Sequence, residues 1–289
     1  MALGGSWYTE RANGYGLALG FKQKLHDEQT SFQRIEIYET ESFGRLMTLD
    51  GLVMLTSRDN FIYHEMMTHP VLFTHTNPRV VVVVGGGDCG TLKEVLKHKQ
   101  VQKAVQVEID ERVTRVSEKF FPELCESNDD PRATFVFQDA IQWMQETKAD
   151  TLDVVILDTT DPVGQAARLF APEFYSDCLR ALRDGGILVA QSESPLFNAD
   201  LIQHIHKAMQ EAGAEDVMTI HFPQCTYPSG WWSATMARKG LKLKGFRETA
   251  ARKKNFATRY YNADIHSACQ ALPSYLLEAL EDGSVKREA

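Results

Sequence analysis

No stretch of this chain approaches the roughly 20 consecutive apolar residues that a membrane-spanning helix needs, so no membrane span is expected. The opening "MALGGSWYTERANG" has no basic start followed by an apolar run, and no secretion signal is expected from it. There is no C-x-x-C pair. The five cysteines, Cys89, Cys125, Cys178, Cys225 and Cys269, are odd in number and widely scattered, a pattern of reduced thiols in a cytoplasm rather than a disulfide framework. There is no surplus of positive charge: 31 Lys and Arg against 39 Asp and Glu leave −8, which argues against nucleic acid and anionic membranes as partners. Internal repeats and low-complexity linkers are missing too. No cysteine–histidine cluster occurs, and no metal is expected. "HEMMTH" imitates a zinc motif, but His64 and His69 are five residues apart, about 140° around a helix, and cannot share an ion as H-E-x-x-H does.

What remains is an ordinary globular chain of 289 residues, long enough for two domains, whose texture changes near residue 75. Before that point "SFQRIEIYETESFGRLMTLDGLVMLTSRD" reads as β-structure, with Asp50-Gly51 marking a hairpin, and a helix is expected from about Asp59. After residue 78, apolar strands such as "RVVVVVGGG" and "LDVVILD" alternate with amphipathic helices. That alternation means a parallel sheet covered on both faces, with ligands bound outside the carboxyl ends of its strands. The expected fold is therefore α/β: residues 1–75 a small antiparallel β-domain with hairpin and connecting helix, and residues 76–289 a Rossmann-like nucleotide-binding catalytic domain.

"VVVVGGGDCG" satisfies G-x-G-x-x-G through Gly85, Gly87 and Gly90, and Glu108 ends the next strand where an acid meets ribose hydroxyls. Alone, this pattern fits a dinucleotide or an adenosyl sulfonium compound. Asp88 separates the two, because a pyrophosphate on this loop would be repelled by it and a cationic sulfonium ligand would not. Asp88 could equally cap the following helix, and Asp139 could either accept from an adenine amino group or cap the helix after it. Asp88, Glu108, Asp139 and Asp158 close four successive strands, an anionic crevice that calls for a cation. In "VVILDTTDPVG", Asp161 follows Asp158 so closely that two like charges share one strand end.

At this point the chain resembles the polyamine aminopropyltransferase family, most of all its bacterial spermidine synthases. "GRLMTLDG", "YHEMMTHPVL", "GGGDCGTLKEVLKH", "VEID", "DDPRATFVFQDA", "LDTTDPVG", "YPSG" and "RYYNADIH" fall in that family's order and spacing over nearly the whole chain. The resemblance implies a methyltransferase-like Rossmann domain with a mostly parallel seven-stranded sheet. It implies transfer of an aminopropyl group from decarboxylated S-adenosylmethionine, a co-substrate, to putrescine, giving spermidine and methylthioadenosine, with no cofactor. It also implies a cytoplasmic homodimer or homotetramer.

Position by position, it gives Gln33 and Glu108 to the ribose, Asp139 to the adenine, Gly85 and Gly87 to the nucleotide loop, and Asp88 to the aminopropyl ammonium. Asp158 matches the catalytic base. Tyr63, His64, Asp161, Gln191, Tyr227 and Trp232 match the polyamine channel, with Trp7 toward its far end. Without the resemblance, the aromatic residues read as ordinary core. The chain departs from the family at Cys89, where Gly is usual, at Gln165, where Pro is usual, and at Gln270, where Phe is usual. Alternatives are an S-adenosylmethionine-dependent amine N-methyltransferase, an aminopropyltransferase for cadaverine, agmatine or spermidine, and a non-catalytic polyamine-binding protein.

Overall fold

The computed structural model describes residues 5–12, 14–160 and 164–282. The first sheet is an antiparallel meander of β1 (Ser6–Ala12), β2 (Tyr15–Gln29), β3 (Arg34–Thr40), β4 (Arg45–Leu49) and β5 (Leu52–Thr56), paired in that order. The hairpin signal holds: Asp50 and Gly51 both take positive φ, 50° and 80°, between β4 and β5. Along β1, Tyr8 and Glu10 are buried, and two residues apart they share a face, as the period of two requires.

The second sheet has seven strands in the order β11-β12-β10-β9-β6-β7-β8. These are β6 (Val80–Gly85), β7 (Lys103–Glu108), β8 (Ala133–Phe137), β9 (Leu152–Asp158), β10 (Leu182–Gln191), β11 (Asp216–Pro223) and β12 (Trp231–Arg238). β10, β9, β6, β7 and β8 run parallel, and β12 is antiparallel to both its neighbours. Val81, Val82, Val83 and Val84 are each at most 1% exposed, because helices cover both faces. The strand order reverses between β9 and β6, so the crevice of such a sheet opens there. Register fixes its floor: Gly85 pairs with Asp158, and Glu108 with Phe137.

α1 (Asn60–Thr74) is buried on nearly all sides, with 13 of its 15 residues inside, rather than showing one apolar stripe. It packs against α2 (Gly90–Leu96), against β9 and β10, and against the C-terminal segment. Burial of its polar residues requires partners, and Glu65 has three: the backbone N–H groups of Arg259, Tyr260 and Tyr261, at 2.7, 2.8 and 2.7 Å. This accounts for both "HEMMTH" and "RYYNADIH" structurally. His69 likewise bonds Glu94 at 3.1 Å and His98 at 3.0 Å. The remaining helices are α3 (Glu111–Phe120), α4 (Ala140–Glu146), α5 (Pro172–Ala181), α6 (Ala199–Glu211), α7 (Glu248–Arg252), α8 (Ala263–Ala268) and α9 (Ser274–Asp282). No described helix is long and apolar enough to cross a membrane.

Candidate active site

The glycine loop is shaped around Asp158. Gly86 N–H donates to the Asp158 carbonyl at 2.8 Å, and a Cβ at Gly85 would lie 2.3 Å from that same oxygen. Gly85 also has φ +77°, so no other residue fits there without moving the end of β9. The Asp158 carboxylate is held from two sides. The Tyr63 hydroxyl donates to one oxygen at 2.8 Å and the Thr91 hydroxyl to the other at 2.6 Å. Burial, and then the nearby Asp88 charge, raise its pKa above the ordinary aspartate value. The described source of like charge is thus Asp88. Asp161, expected to supply it, lies outside the described residues, as does any account of the Gln165 side chain.

Asp88 follows β6 and has its own partner. His64 Nε2 lies 3.2 Å from its carboxylate, and the Gly90 N–H donates to it at 2.6 Å. Burial alone would push the His64 pKa down, but the Asp88 carboxylate outweighs it and the imidazolium is favoured. Burial raises Asp88, and His64 more than reverses that, leaving it lowered. Gly90 makes the pair possible: a Cβ there would sit 2.2 Å from the His64 ring, so the ring lies in the space a side chain would fill.

Glu108 ends β7 with one oxygen accepting from Asp110 N–H at 2.9 Å, and the other would lie 2.9 Å from a Cβ at Gly87. Burial pushes its pKa up to about 7, with no ion-pair partner among the described residues. Beside it, the Gln33 amide and the Thr30 hydroxyl donate to the same oxygen of Asp110, at 3.1 and 2.8 Å. Asp139 caps α4, accepting from Ile141 N–H at 2.8 Å.

On the other side of Asp158 a narrow cavity runs between the two sheets. It is lined by Tyr63, Tyr227, Trp232, Gln191, Thr159 and, from the first sheet, Glu10. The rings meet edge to face, Tyr63 to Tyr227 at 5.8 Å and Tyr227 to Trp232 at 4.7 Å. Gln191 Nε2 and Trp232 Nε1 are buried with no acceptor among the described residues, so this apolar wall carries two donors that a guest or water must satisfy.

Comparison with known proteins decides what kind of site this is. Residues 60–245 match the profile of the spermine/spermidine synthase domain, and residues 6–57 that of the spermidine synthase tetramerisation domain. The chain belongs to the spermine/spermidine synthase family. It is 58% identical to the polyamine aminopropyltransferase of Methylococcus capsulatus, over 96% of this chain and 97% of that one. It is 56% identical to that of Thioalkalivibrio sulfidiphilus, over 97% and 99%. A crystal structure of a spermidine synthase in complex with the transition state analogue AdoDATO superposes with a TM-score of 0.92 at 36% identity, covering 95% of this chain and 94% of that one. The Thermotoga maritima spermidine synthase gives 0.91, also at 36% identity, covering 96% and 95%.

The spermine/spermidine synthase fold brings most of the expected residues to one crevice. Gly85, Gly87, Asp88 and Glu108 lie at neighbouring strand ends on the glycine-loop side of Asp158, Gln33 is tied to that side through Asp110, Asp139 follows β8 at the next strand end, and Tyr63, Gln191, Tyr227 and Trp232 line the cavity. His64 stands between them, its ring turned to Asp88 rather than to the cavity. Trp7, 37% exposed, does not line that cavity.

Some participants were not visible beforehand. Thr91 and Gly86 are set by the loop's three-dimensional path, as is the room that Gly90, read only as a motif glycine, leaves for the His64 ring. Asp110 could have been noticed as the second acid of "VEID". Glu10 carries a signal, a charged residue two positions from Tyr8 on the buried face of β1. Among the described residues no group of three or more His, Cys, Asp or Glu side chains could hold a metal ion.

Proposed function

We propose that this protein transfers the aminopropyl group of decarboxylated S-adenosylmethionine to putrescine, releasing spermidine and methylthioadenosine. One observation carries the reading: Asp88, Glu108 and Asp158, largely shielded acids at neighbouring strand ends, have no lysine or arginine partner among the described residues, next to an aromatic cavity. Both substrates are cationic and supply the missing charge.

The reaction needs a neutral amine, yet an alkylammonium of pKa about 10.4 is almost wholly protonated at pH 7. An exposed aspartate near 3.9 falls about 6.5 pKa units short as a base, roughly 9 kcal/mol. Burial narrows that gap from both ends, raising Asp158 and lowering the amine. Alignment contributes about 7–11 kcal/mol in favourable cases.

In the proposed step Asp158 takes the proton, the amine nitrogen bonds to the carbon beside the sulfonium, and the C–S bond breaks with its electron pair on sulfur. Tyr63 and Thr91 aim the carboxylate. Asp88, backed by His64, receives the aminopropyl ammonium. Glu108 and Gln33 take the ribose, Asp139 the adenine, and Gly85 and Gly87 let the nucleotide approach the backbone. Tyr227, Trp232 and Gln191 enclose the four-carbon stem, with Glu10 as a carboxylate for its distal ammonium. Asp161 keeps its assignment as an anchor for the attacking amine on the resemblance alone.

We further propose the division into residues 1–75 and 76–289, a cytoplasmic location, and assembly as a homodimer or homotetramer through the first sheet, to be read by light scattering. The test of function is incubation of the purified protein with decarboxylated S-adenosylmethionine and, separately, putrescine, cadaverine, agmatine or spermidine, followed by mass spectrometry. Spermidine with methylthioadenosine is expected from putrescine. A methylated amine from a parallel incubation with S-adenosylmethionine would replace this reading with the methyltransferase.

A further inference from the structure

The connection from β7 to α3 buries a carboxylate. Asp110, the last residue of "VEID", is 2% exposed, and a buried carboxylate must find donors. One oxygen, Oδ1, accepts from the Arg112 N–H at 3.0 Å and so caps α3. Capping asks nothing of the other oxygen. Oδ2 instead accepts from two side chains of the turn between β2 and β3, the Thr30 hydroxyl at 2.8 Å and the Gln33 amide Nε2 at 3.1 Å. These partners stand 80 and 77 residues away along the chain, so a helix cap alone does not account for them. Thr30 also holds the shape of its turn, its oxygen accepting from the N–H groups of Phe32 at 3.0 Å and Gln33 at 3.1 Å. Asp110 reaches the strand-end acid as well: its own N–H donates to Glu108 Oε1 at 2.9 Å.

A carboxylate only accepts, so the Gln33 amide must turn its nitrogen to Asp110 and keep its oxygen for a ligand. Glu108, with Oε1 engaged, keeps Oε2 on the side of Gly87, where a Cβ would lie 2.9 Å from it. Gln33 and Glu108 are then two acceptors, and the neighbouring hydroxyls of a ribose are two donors. We propose that Asp110 is a positioning residue: it orients the Gln33 amide with its oxygen toward the nucleotide, so that the site demands a hydrogen-bond donor at both ribose positions. The proposal rests on Gln33 and Glu108 as ribose contacts. The N–H of residue 110 serves Glu108 whatever side chain it carries, so changing that side chain tests the link to Gln33.

The full-length protein is titrated by calorimetry with methylthioadenosine and with its 2′-fluoro-2′-deoxy and 3′-fluoro-3′-deoxy analogues. Fluorine has lone pairs like a hydroxyl oxygen but no proton to donate. Wild type should bind each analogue at least about tenfold more weakly, because an acceptor is left facing fluorine. Asp110→Asn still caps α3 and turns an NH2 group toward Gln33. Two NH2 groups cannot pair, so the Gln33 amide rotates and offers its nitrogen to the ribose. At one position the preference for hydroxyl over fluorine should shrink to within about threefold, while at the other, where Glu108 accepts, it should persist. Asp110→Ser, whose hydroxyl caps α3 but leaves Gln33 without its acceptor, should shrink the same preference and serves if the first variant does not fold.

A residue needed only for folding would weaken all three ligands by one common factor, and that result overturns the proposal. Gln33→Ala should lose the same single preference, and Asp110→Asn added to it should remove nothing more. A further loss in the double variant means that Asp110 does not act through Gln33, and also overturns it. Should Gln33→Ala keep both preferences, the ribose assignment itself fails and the proposal falls with it.

Discussion

Two regions of this molecule are rich in carboxylates and treat them oppositely. On β2 and β3, Asp27 and Glu36 share Lys24 at 2.8 and 2.5 Å, Arg34 grips Asp27 at 2.8 Å, and Arg112 reaches Glu28 at 2.7 Å. The Arg34 hydrogen bonds, then those of Lys24, hold Asp27 well below the usual carboxylate range. At the rim of the second sheet, Asp158 and Glu108 meet hydroxyls and backbone instead, and burial raises both. The first region is complete in itself and, apart from the buried Glu36, lies at the surface, where such pairs contribute little. The second is unfinished until cations arrive, which is what a site for two cationic substrates requires.

Five changes bear on that contrast, beginning with the largest. Asp158→Asn should lower turnover by about 10³-fold or more while methylthioadenosine binding stays largely intact; near-normal turnover would remove Asp158 from its role. Glu108→Gln separates binding from stability. Its carboxyl rises from an ordinary 4.5 to about 7 in the fold, so the contribution of Glu108 to stability is most favourable below about pH 4.5 and declines as pH rises to about 7. The decline is about 3 kcal/mol, and the variant should escape it, melting several degrees higher than wild type at pH 8 and alike at pH 4, while binding nucleotide worse. Equal melting-point differences at both pH values would contradict this.

Gly90→Ala drives a methyl group into the His64 ring and should cost about 10²-fold in kcat/KM, with a shifted pH–rate profile. An unshifted profile would leave His64 a packing residue. Asp88→Asn should reduce the preference for decarboxylated S-adenosylmethionine over S-adenosylmethionine by about tenfold, since the carboxylate of the latter is no longer repelled; competition binding measures it. Arg34→Ala, in the complete region, should move the melting temperature by less than about 2 °C and leave turnover alone.

Much of the site was legible because it is local. Asp158 and Glu108 are the last residues of apolar strands, and a strand that ends in an acid places it at the sheet's rim whatever the rest of the chain does. Asp139 was read as either cap or ligand, and the cap is now seen at 2.8 Å without excluding a ligand on its other oxygen. The like charge near Asp158 was looked for three residues away, at Asp161, which lies outside the described residues; among the described residues Asp88, after a different strand, supplies one. Thr91 and the His64–Asp88 pair could not be read, because each depends on how a helix is rotated against another element. Glu65 reaching residues 259–261 is the extreme case.

By itself, then, the sequence determined the alternation of strands and helices, the glycine loop and the acids at strand ends, since period, propensity and spacing act within a few residues. Only the tertiary structure decided which acids are paired and which are left raised, which glycine makes room for which ring, and that Cys125 reaches the carbonyl oxygen of Asp88. Those outcomes turn on distances of a few ångströms between segments far apart in the chain, and on the loss of water around them. Packing sets both; local pattern sets neither.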